Sequence, residues 1–500
     1  MDRSNVFNQP RCVHLIGAAG SGMRSLADAL VQCGWRVQGS DCCLDDVASL
    51  ADAGVRLFQG HDARWISSDL DLVVHSDAVP ADNPERRRAA QLGISSLSYF
   101  QALGRFSAAA DTVAVAGTHG KSTTTAMTAH VLIHAGMDPA VFCGATPLGQ
   151  TSGGRAGRLA SAIASGEGQG VRNAGLMVVE ACEYRANFLN LRPRRAAILG
   201  VEPDHFDCYD SLEELENAFR RFAASIPADG FLLVRRDCRS TRRAIEGLSC
   251  PMESFGLEPE ADWSACELTD RRGCFQFEIQ HGGRPFCRTS LRTPGRHNVL
   301  NALAAAALAS NCGATPKQIA AGLTDFAGLH RRLEVRGAWG RATWVDDYAH
   351  HPTQVAAALA SVRRMFPGRR VWCVFQPHQA SRTARLLDEL AASLQNADRV
   401  LVTEIFRARE GSPRSGEVTA ADLARRTAEL GVRVLPGHRD QEILKTLETG
   451  LVADDVLVTL GAGRSGAWQV VSEVRSRPAA CDFAVESRPV VQTCVEGKSS

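Results

Sequence analysis

The chain has 500 residues, a formal net charge of +1 at pH 7 and 45% hydrophobic residues. Because a single hydrophobic core stops growing at about 250 to 300 residues, we expect two or three domains. The near-neutral charge supplies no general attraction to nucleic acid or to an anionic membrane. The sequence has neither a signal-peptide pattern nor an apolar window of the roughly 18 to 20 residues that a membrane span requires, so we predict a cytoplasmic protein.

Short Val/Ile/Leu runs alternate with Ala/Leu/Arg-rich stretches along the chain, which favours an α/β fold built on parallel sheets. Three such blocks can be separated, over residues 11–107, from the strand before Lys121 onward, and from about Gly328 onward. In the third block we predict strands around 371–375, 400–403 and 456–460. A Gly/Ser/Ala-rich stretch at 153–170 is typical of a surface loop, and the tail after about 476 lacks periodicity and is predicted to be disordered. The sixteen cysteines form no C-x-x-C pair, so we interpret them as mostly buried, reduced thiols.

The first block opens with a strand at 12–16, a glycine-rich turn at 17–22 and a helix at about 23–33. The turn is similar to a dinucleotide fingerprint, with Gly17 and Gly22 in place, but Ala19 stands where the middle glycine normally allows close approach of a pyrophosphate. Ser40 and Asp41 end the next predicted strand, where an acidic side chain can contact ribose hydroxyls. The alternative to a ribose contact is that Ser40 and Asp41 cap the end of the strand.

The second block begins with a β-rich run followed by G-T-H-G-K-S-T-T-T at residues 117–125. This pattern predicts a phosphate-binding loop, in which backbone N–H groups and a helix N-terminus face the anion and a lysine neutralises it. The general pattern would place Gly at position 115, where this chain has Val115, so the loop is a compressed variant. Lys121 is one of only four lysines in the chain. The sequence therefore predicts ATP binding.

Polar side chains follow two further strands of this block. Glu180 comes after the run 176–179, and His205 follows the strand predicted at 196–201. Because ligands of open α/β sheets bind beyond the carboxyl ends of strands, both side chains are predicted to lie near Lys121. Each is a candidate ligand for Mg²⁺. The alternative for each is a structural role, as a hydrogen-bonded residue at the end of a strand.

The ordered motifs of the chain resemble those of the Mur ligases. They lie at 14–23, 117–125, 180–185, 202–206, 294–302, 330–334, 346–353 and 375–383. The resemblance implies three α/β domains: an N-terminal Rossmann-like domain (1–107), a central P-loop ATPase-like domain (108–327) and a C-terminal Rossmann-like domain (328–475), followed by a tail (476–500).

This resemblance also implies an activity. It implies an ATP-dependent amide ligase of peptidoglycan precursor synthesis, which adds L-alanine to the lactyl carboxylate of UDP-N-acetylmuramate. The implied reaction proceeds through an acyl phosphate. ATP and Mg²⁺ are the implied cofactors, the two substrates are the implied partners, and a monomer or weak homodimer is expected. A carboxylate is a poor electrophile until a phosphate leaving group is attached, so charge neutralisation by Lys121 and Mg²⁺ suits this reaction.

Site residues follow from the matching motifs. The resemblance gives catalytic roles to Lys121, Glu180, His205, Arg331 and His350. It implies nucleotide contacts by Gly117, Thr118, His119, Gly120, Lys121, Ser122, Thr123, His297, Asn298, Arg332 and Asp346. It implies substrate contacts by Gly17, Gly20, Gly22, Ser40, Asp41, Ser76, His378 and Arg382. It implies metal ligation by Ser122, Glu180 and His205. For His350, His378 and Arg382, hydrogen bonding between domains is the alternative role.

Three other functions are alternatives to an L-alanine-adding ligase. A related ligase could add a tripeptide to the same sugar nucleotide, with the same ATP motifs. A non-catalytic nucleotide-binding regulator would be expected to lose Lys121, Ser122, Glu180 or His205, which are all present. A UDP-sugar or NAD dehydrogenase is disfavoured by the imperfect turn at Gly17.

The chain departs from the family pattern at Ala19 and at Arg464, where the family usually has Asp. The predicted helix at 212–227 contains no Lys, so the carbamylated lysine of some related ligases is absent.

Overall fold

A computed structural model describes residues 11–44, 47–160, 175–408 and 410–463. Arg464, the tail after 476 and residues 161–170 of the predicted surface loop lie outside this range. Within it, the chain forms three sheets flanked by helices, and no helix there is long and apolar enough to cross a membrane. The α/β class and the three-part organisation agree with the prediction.

The N-terminal sheet contains five parallel strands in the order β3-β2-β1-β4-β5. Its strands are β1 (Cys12–Ile16), β2 (Arg36–Asp41), β3 (Arg56–Gln59), β4 (Leu72–His75) and β5 (Ser95–Ser98). The associated helices are α1 (Ser21–Gln32), α2 (Ala48–Asp52), α3 (Pro84–Gln91) and α4 (Tyr99–Ala109). Helix α1 begins two residues before the predicted start, because Gly20 takes the extended conformation of an N-cap and Ser21 and Gly22 enter the first turn.

The central sheet has ten strands in the order β15-β14-β13-β12-β11-β10-β6-β9-β7-β8. Its strands are β6 (Asp111–Ala116), β7 (Ala140–Phe142), β8 (Gly154–Arg155), β9 (Leu176–Glu180), β10 (Arg195–Ile198), β11 (Phe231–Arg235), β12 (Met252–Phe255), β13 (Trp263–Arg271), β14 (Cys274–His281) and β15 (Arg284–Ser290). The helices are α5 (Lys121–His134), α6 (Leu212–Ala224), α7 (Arg239–Ile245), α8 (Arg296–Asn311) and α9 (Pro316–Asp325). Strand β10 ends three residues earlier than predicted, because the chain turns at Gly200, whose φ is 142°.

The register of the central sheet positions the site. Strand β6 pairs in parallel with β9 and β10, so that Val115 lies opposite Glu180 and Ala116 lies opposite Ile198. The carboxyl ends of these three strands therefore meet at one edge, where the loop before α5 begins. Behind the edge, α5 packs on the alanine-rich α8, which is almost wholly buried.

The C-terminal sheet has the order β16-β17-β20-β18-β19, with β16 antiparallel to β17 and the other pairs parallel. Its strands are β16 (Glu334–Trp339), β17 (Ala342–Asp347), β18 (Val371–Phe375), β19 (Arg399–Val402) and β20 (Val456–Leu460). The helices are α10 (Pro352–Met365), α11 (Ala380–Arg385), α12 (Leu387–Ser393), α13 (Ala420–Glu429) and α14 (Asp440–Gly450). Short 3₁₀ turns occur at Ala63–Trp65, Tyr184–Asn190 and Leu394–Asn396.

Fourteen cysteines lie in the described part of the chain, and all are free. Five of them are buried, seven are half-buried, and Cys42 and Cys43 are exposed. These free thiols agree with the prediction that the cysteines are reduced. The prediction that most are buried is wrong, because many occupy the ends and outer faces of elements.

Candidate functional site

The loop between β6 and α5 has the conformation of an anion cradle. Gly117 and Gly120 have φ values of 136° and 80°, in the left-handed region that favours glycine. A Cβ at Gly120 would lie 2.5 Å from Oδ1 of Asn301, and one at Gly117 would lie 3.0 Å from the backbone nitrogen of Leu199. Both positions therefore exclude other residues, and α5 begins with its N–H groups facing the loop.

Lys121 is the first residue of α5 and folds back over the loop. Its ammonium donates to the carbonyl oxygens of Gly117 (2.6 Å) and Thr118 (3.2 Å) and to Oε1 of Glu183 (2.9 Å). Burial alone would lower the pKa of Lys121, but its acidic neighbours, Glu183 foremost, together outweigh this effect and raise that pKa. The lysine is therefore charged and held at the loop, as neutralisation of phosphates requires.

Ser122 and Glu180 meet on the other side of the loop. The Ser122 hydroxyl donates to Oε1 of Glu180 at 3.0 Å, while Oε2 of Glu180 accepts from the backbone N–H of Gly144 at 2.8 Å. A hydroxyl and a carboxylate at a strand end form the oxygen donor set that Mg²⁺ prefers. These two side chains therefore fit the predicted metal.

His205 lies beside a different carboxylate. Its Nε2 is 3.2 Å from Oε1 of Glu183, the same oxygen that contacts Lys121. Burial alone would raise the pKa of Glu183, but Lys121 and His205 lower it. The structure thus brings together Lys121, Glu183 and His205, and separately Ser122 and Glu180.

Glu183 was missed by the sequence reasoning. The available signal was its position three residues after Glu180, in the same motif at 180–185. The chain here is strained, since Arg185 and Ala186 have φ values of 51° and 54°, and His205 has φ of 54°. Such left-handed non-glycine residues cluster at functional sites, where surrounding contacts fix them.

A cavity lies beside the loop, lined by residues of the central and C-terminal domains. Its lining includes His119, Thr123, His297, Asn298, Arg332 and Asp347. Burial and the nearby Arg332 charge lower the pKa of His297 to about 4, so this imidazole is neutral. The Asn298 amide donates to the Pro294 carbonyl at 2.7 Å, which fixes its orientation.

The two aspartates at the end of β17 occupy different places. Asp346, the predicted ribose contact, is fully buried and accepts from Arg331 Nε (3.1 Å) and from the Thr459 hydroxyl (2.7 Å). Its neighbour Asp347 lines the cavity and accepts from the backbone N–H groups of Leu333 and Ala349. Strand alternation explains the difference, since successive side chains point to opposite faces. Asp347 was not identified from the sequence.

Arg331 and Arg332 both lie near the ring of Tyr348, at 5.4 and 5.1 Å from its centroid. Arg331 also donates to the carbonyl of Gly461 at 2.7 Å, so its guanidinium is anchored within the C-terminal domain. Arg332 lines the cavity. Arg332, the predicted nucleotide contact, therefore lies on the wall of the cavity, whereas Arg331, the predicted catalytic residue, is held within the C-terminal domain.

His378, Arg382 and His350 form a cluster on the C-terminal domain. The guanidinium of Arg382 donates to Oδ1 of Asp204 at 2.6 and 2.9 Å and lies 2.6 Å from Nδ1 of His378. The rings of His350 and His378 are 5.2 Å apart. Burial and the Arg382 charge hold the pKa of His350 well below its usual value. Arg382 thus makes hydrogen bonds between domains, which is the alternative role considered for this residue.

The predicted substrate residues of the N-terminal domain also converge. Gly17, with φ of 84°, donates its N–H to the Ser40 carbonyl at 2.8 Å, and a Cβ there would lie 3.0 Å from Cβ of Ser76. Asp41 accepts from the N–H of Ala19 at 2.9 Å. The side chain of Ser40, however, is fully buried and donates to Glu85 at 2.6 Å.

Gly20 and Gly22 lie at the start of α1, as the N-cap and in its first turn. A Cβ at Gly22 would approach the Tyr99 ring to 2.9 Å. The turn is therefore closely packed at the carboxyl ends of β1, β2 and β4, where ligands of such sheets bind.

Three α/β domains with a phosphate-binding loop on the middle one define a class of nucleotide-dependent α/β proteins. Family models match nearly the whole described chain: "Mur ligase family, catalytic domain" over residues 12–110, "Mur ligase middle domain" over 115–309 and "Mur ligase, glutamate ligase domain" over 331–463. The chain belongs to the Mur ligase family.

Particular relatives are similar along most of their length. A UDP-N-acetylmuramate–L-alanine ligase of Clostridium novyi is 36% identical over 453 residues, which cover 90% of this chain and 94% of the relative. Among solved structures, the UDP-N-acetylmuramate-alanine ligase of Thermotoga maritima has a TM-score of 0.75 and 26% identity, covering 92% of this chain and 97% of that chain. A murein peptide ligase of Psychrobacter arcticus has a TM-score of 0.68 and 25% identity, covering 94% and 100%.

Proposed function

We propose that this chain is an ATP-dependent ligase that joins L-alanine to the lactyl carboxylate of UDP-N-acetylmuramate. The observation that carries the proposal is the loop of Lys121 and Ser122, set in a fold whose relatives bear the name UDP-N-acetylmuramate–L-alanine ligase over 90% of this chain. Family models match each of the three parts of this chain. We place the domain limits near residues 107 and 327, between the sheets at 12–98, 111–290 and 334–460.

The reaction proceeds in two transfers. A lactyl carboxylate oxygen attacks the γ-phosphorus of ATP, the bond to the β-phosphate oxygen breaks, and an acyl phosphate and ADP form. The nitrogen of L-alanine then attacks the acyl carbon, and the carbon–oxygen bond breaks to release inorganic phosphate and leave the amide. Positioning and charge neutralisation carry most of the catalysis in such transfers.

Lys121 supplies a fixed positive charge for the terminal phosphates, and Glu183 keeps it charged and in place. Ser122 and Glu180 would hold Mg²⁺, whereas His205, the third predicted ligand, contacts Glu183. When bound, Mg²⁺ would neutralise phosphate charge and orient the phosphates. We assign the base and ribose of ATP to the cavity beside the loop, with His297, Asn298 and Arg332 on its wall.

The C-terminal domain contributes to amide formation. His350 is held neutral, and its Nδ1 lies 3.0 Å from the Tyr348 carbonyl oxygen, which leaves Nε2 available as a proton acceptor. A neutral imidazole there can accept the proton that the ammonium of L-alanine must lose before attack. The sugar nucleotide is assigned to the turn at Gly17 to Gly22. A cytoplasmic location and a monomer or weak homodimer stay predictions.

Phosphate release tests the proposal. The wild-type protein is mixed with ATP, Mg²⁺ and UDP-N-acetylmuramate, and L-alanine, glycine, L-serine or a tripeptide is added separately. We expect release that requires both the sugar nucleotide and L-alanine and that falls about a hundredfold or more in Lys121→Ala, because a fixed charge on the phosphates is lost. Lys317→Ala, a change at an exposed lysine of α9, is the matched control and should retain full activity.

Release with the tripeptide alone would assign the chain to the related peptide ligase. No release with any acceptor would contradict a ligase function.

A further inference from the structure

Gln354 lies where the C-terminal domain touches the phosphate-binding loop at 117–120, called the nucleotide loop below. It is the third residue of α10, and its Oε1 accepts from the backbone N–H groups of His350 (3.2 Å) and His351 (3.4 Å), which caps that helix. Its Nε2 lies 2.9 Å from Nδ1 of His119, in the loop of the central domain. One amide therefore caps a helix of one domain and contacts the loop of another.

These contacts determine the orientation of the Gln354 amide and of the His119 ring. Two backbone N–H groups require an acceptor, so the amide oxygen of Gln354 faces the cap and its NH₂ group faces His119. Nδ1 of His119 consequently accepts, and the ring proton lies on Nε2. That nitrogen is buried and faces Oε2 of Glu202 at 3.4 Å, while the ring packs at 4.5 Å from the ring of His351.

His119 directly precedes Gly120 and lines the cavity assigned to ATP. Its contact with Gln354 exists only when α10 lies against the loop. We propose that Gln354 is a positioning residue that fixes the ring orientation and tautomer of His119, and thereby couples closure of the C-terminal domain to the shape of the nucleotide loop. This inference rests on the proposed function insofar as the loop binds ATP.

Other contacts of α10 join the same two domains. The Thr353 hydroxyl donates at 2.6 Å to Oε2 of Glu202, the oxygen that faces His119. Arg364, near the C-terminal end of the helix, pairs with Asp270 at 2.8 Å and does not contact the loop. Arg364 is about half exposed and remote from the loop. It therefore provides a matched control for loss of an interdomain contact on the same helix.

A double-mutant cycle tests the coupling. Gln354→Met keeps the side-chain length and removes the hydrogen bond to His119 together with the two that cap α10, so kcat/KM for ATP should fall about three- to tenfold. In a His119→Ala background the same change should cause only the smaller loss that follows from the broken cap, because the contact with His119 is already gone. Arg364→Met should act equally in both backgrounds. An equal loss from Gln354→Met in both backgrounds would overturn the proposal.

A conservative variant separates positioning from capping. Gln354→Glu keeps an acceptor for the cap but replaces the NH₂ donor to Nδ1 of His119 with a carboxylate oxygen that can only accept. It should therefore retain the melting temperature, while kcat/KM for ATP falls as in Gln354→Met. Imidazole ¹⁵N spectra should show the Nε2–H tautomer of His119 in wild type and a proton on Nδ1 in Gln354→Glu. These spectra need no turnover, so they report on the coupling even if the ligase assay fails. An unchanged tautomer in Gln354→Glu, or wild-type kcat/KM in that variant, would refute the coupling.

Discussion

Glu183 is the residue on which the charge balance of the loop depends. It is fully buried and contacts both Lys121 and His205. A buried ammonium is stable only beside a compensating charge, since removal of one partner of such a pair leaves the other desolvated. The acidic side chain thus acts as a counter-charge for Lys121 until phosphates arrive, whereas Glu180 faces Ser122 and the predicted metal.

Glu183→Gln and Glu180→Gln should therefore fail in different ways. We expect Glu183→Gln to lower the free energy of unfolding by about 3 to 5 kcal/mol, because Lys121 loses its buried partner. Glu180→Gln should change that free energy by less than about 1.5 kcal/mol and instead raise the Mg²⁺ concentration needed for half-maximal activity. Denaturant titration and Mg²⁺ titration measure the two effects. Equal destabilisation by both variants would contradict the division of roles.

At the residue scale the sequence predicts the loop well, because its chemistry is local. Gly117, Gly120, Lys121 and Ser122 follow one another, and their backbone conformation follows from the residue types. The partner of His205 could not be predicted in the same way. Which of two acidic residues in one motif meets an imidazole depends on the strained turn after β9, and that turn is fixed by tertiary contacts.

Helix α5 follows β6 after the loop at 117–120, and Gly120 makes the transition into the helix. Its φ of 80° and the nearby Asn301 leave no room for a side chain. Gly136, just after the other end of the same helix, has φ of 79°, but a Cβ there would meet nothing within 4 Å. The two glycines thus share a conformation and differ in their surroundings.

Gly136→Ala should cost about 1 to 2 kcal/mol of stability, the penalty for a left-handed alanine, and leave ATP binding unchanged. Gly120→Ala adds a clash with Asn301 and should weaken ATP binding at least tenfold, because the loop must shift. Thermal unfolding and calorimetric titration with ATP compare the two variants. Equal ATP affinity in both would show that the loop tolerates a side chain and would argue against it as the phosphate cradle.

At the element scale the prediction succeeds for two buried parallel strands of the C-terminal sheet and fails for the antiparallel hairpins of the central sheet. Strands β18 and β20 have the predicted limits because continuous apolar runs between polar ends leave little choice. The antiparallel hairpins β13 to β15 were not predicted, since their residues alternate between buried and exposed and include many charged side chains. The limits of β10 were misplaced for a related reason, because apolar residues continue into the turn at Gly200.

The whole molecule is held closed by contacts between the central and C-terminal domains. The pair of Arg382 and Asp204 is almost completely buried, with exposed side-chain fractions of 3% and 5%. Although burial alone would raise it, the charges of His205 and Arg382 keep the pKa of Asp204 well below its usual value. Such long-range pairing follows from domain arrangement, which no local pattern in the sequence specifies.

Asp204→Asn should open the molecule. The loss of its buried partner leaves the Arg382 charge uncompensated at a cost of about 3 to 5 kcal/mol, which domain separation relieves by hydrating the guanidinium. Small-angle scattering should therefore show a larger radius of gyration than for wild type. Arg364→Met removes the exposed pair with Asp270, worth less than about 1 kcal/mol, and should leave the radius unchanged. An unchanged radius in Asp204→Asn would mean that other contacts suffice for closure.

The central claim is that the lactyl carboxylate is activated by phosphoryl transfer from ATP before L-alanine attacks. It is tested most directly with UDP-N-acetylmuramate labelled with ¹⁸O in that carboxylate, by mass analysis of the phosphate released on addition of ATP and L-alanine. An acyl phosphate predicts one ¹⁸O atom in each phosphate, because the carboxylate oxygen leaves with phosphorus when the amide forms. Release of unlabelled phosphate would show that water attacks ATP directly and would contradict the account.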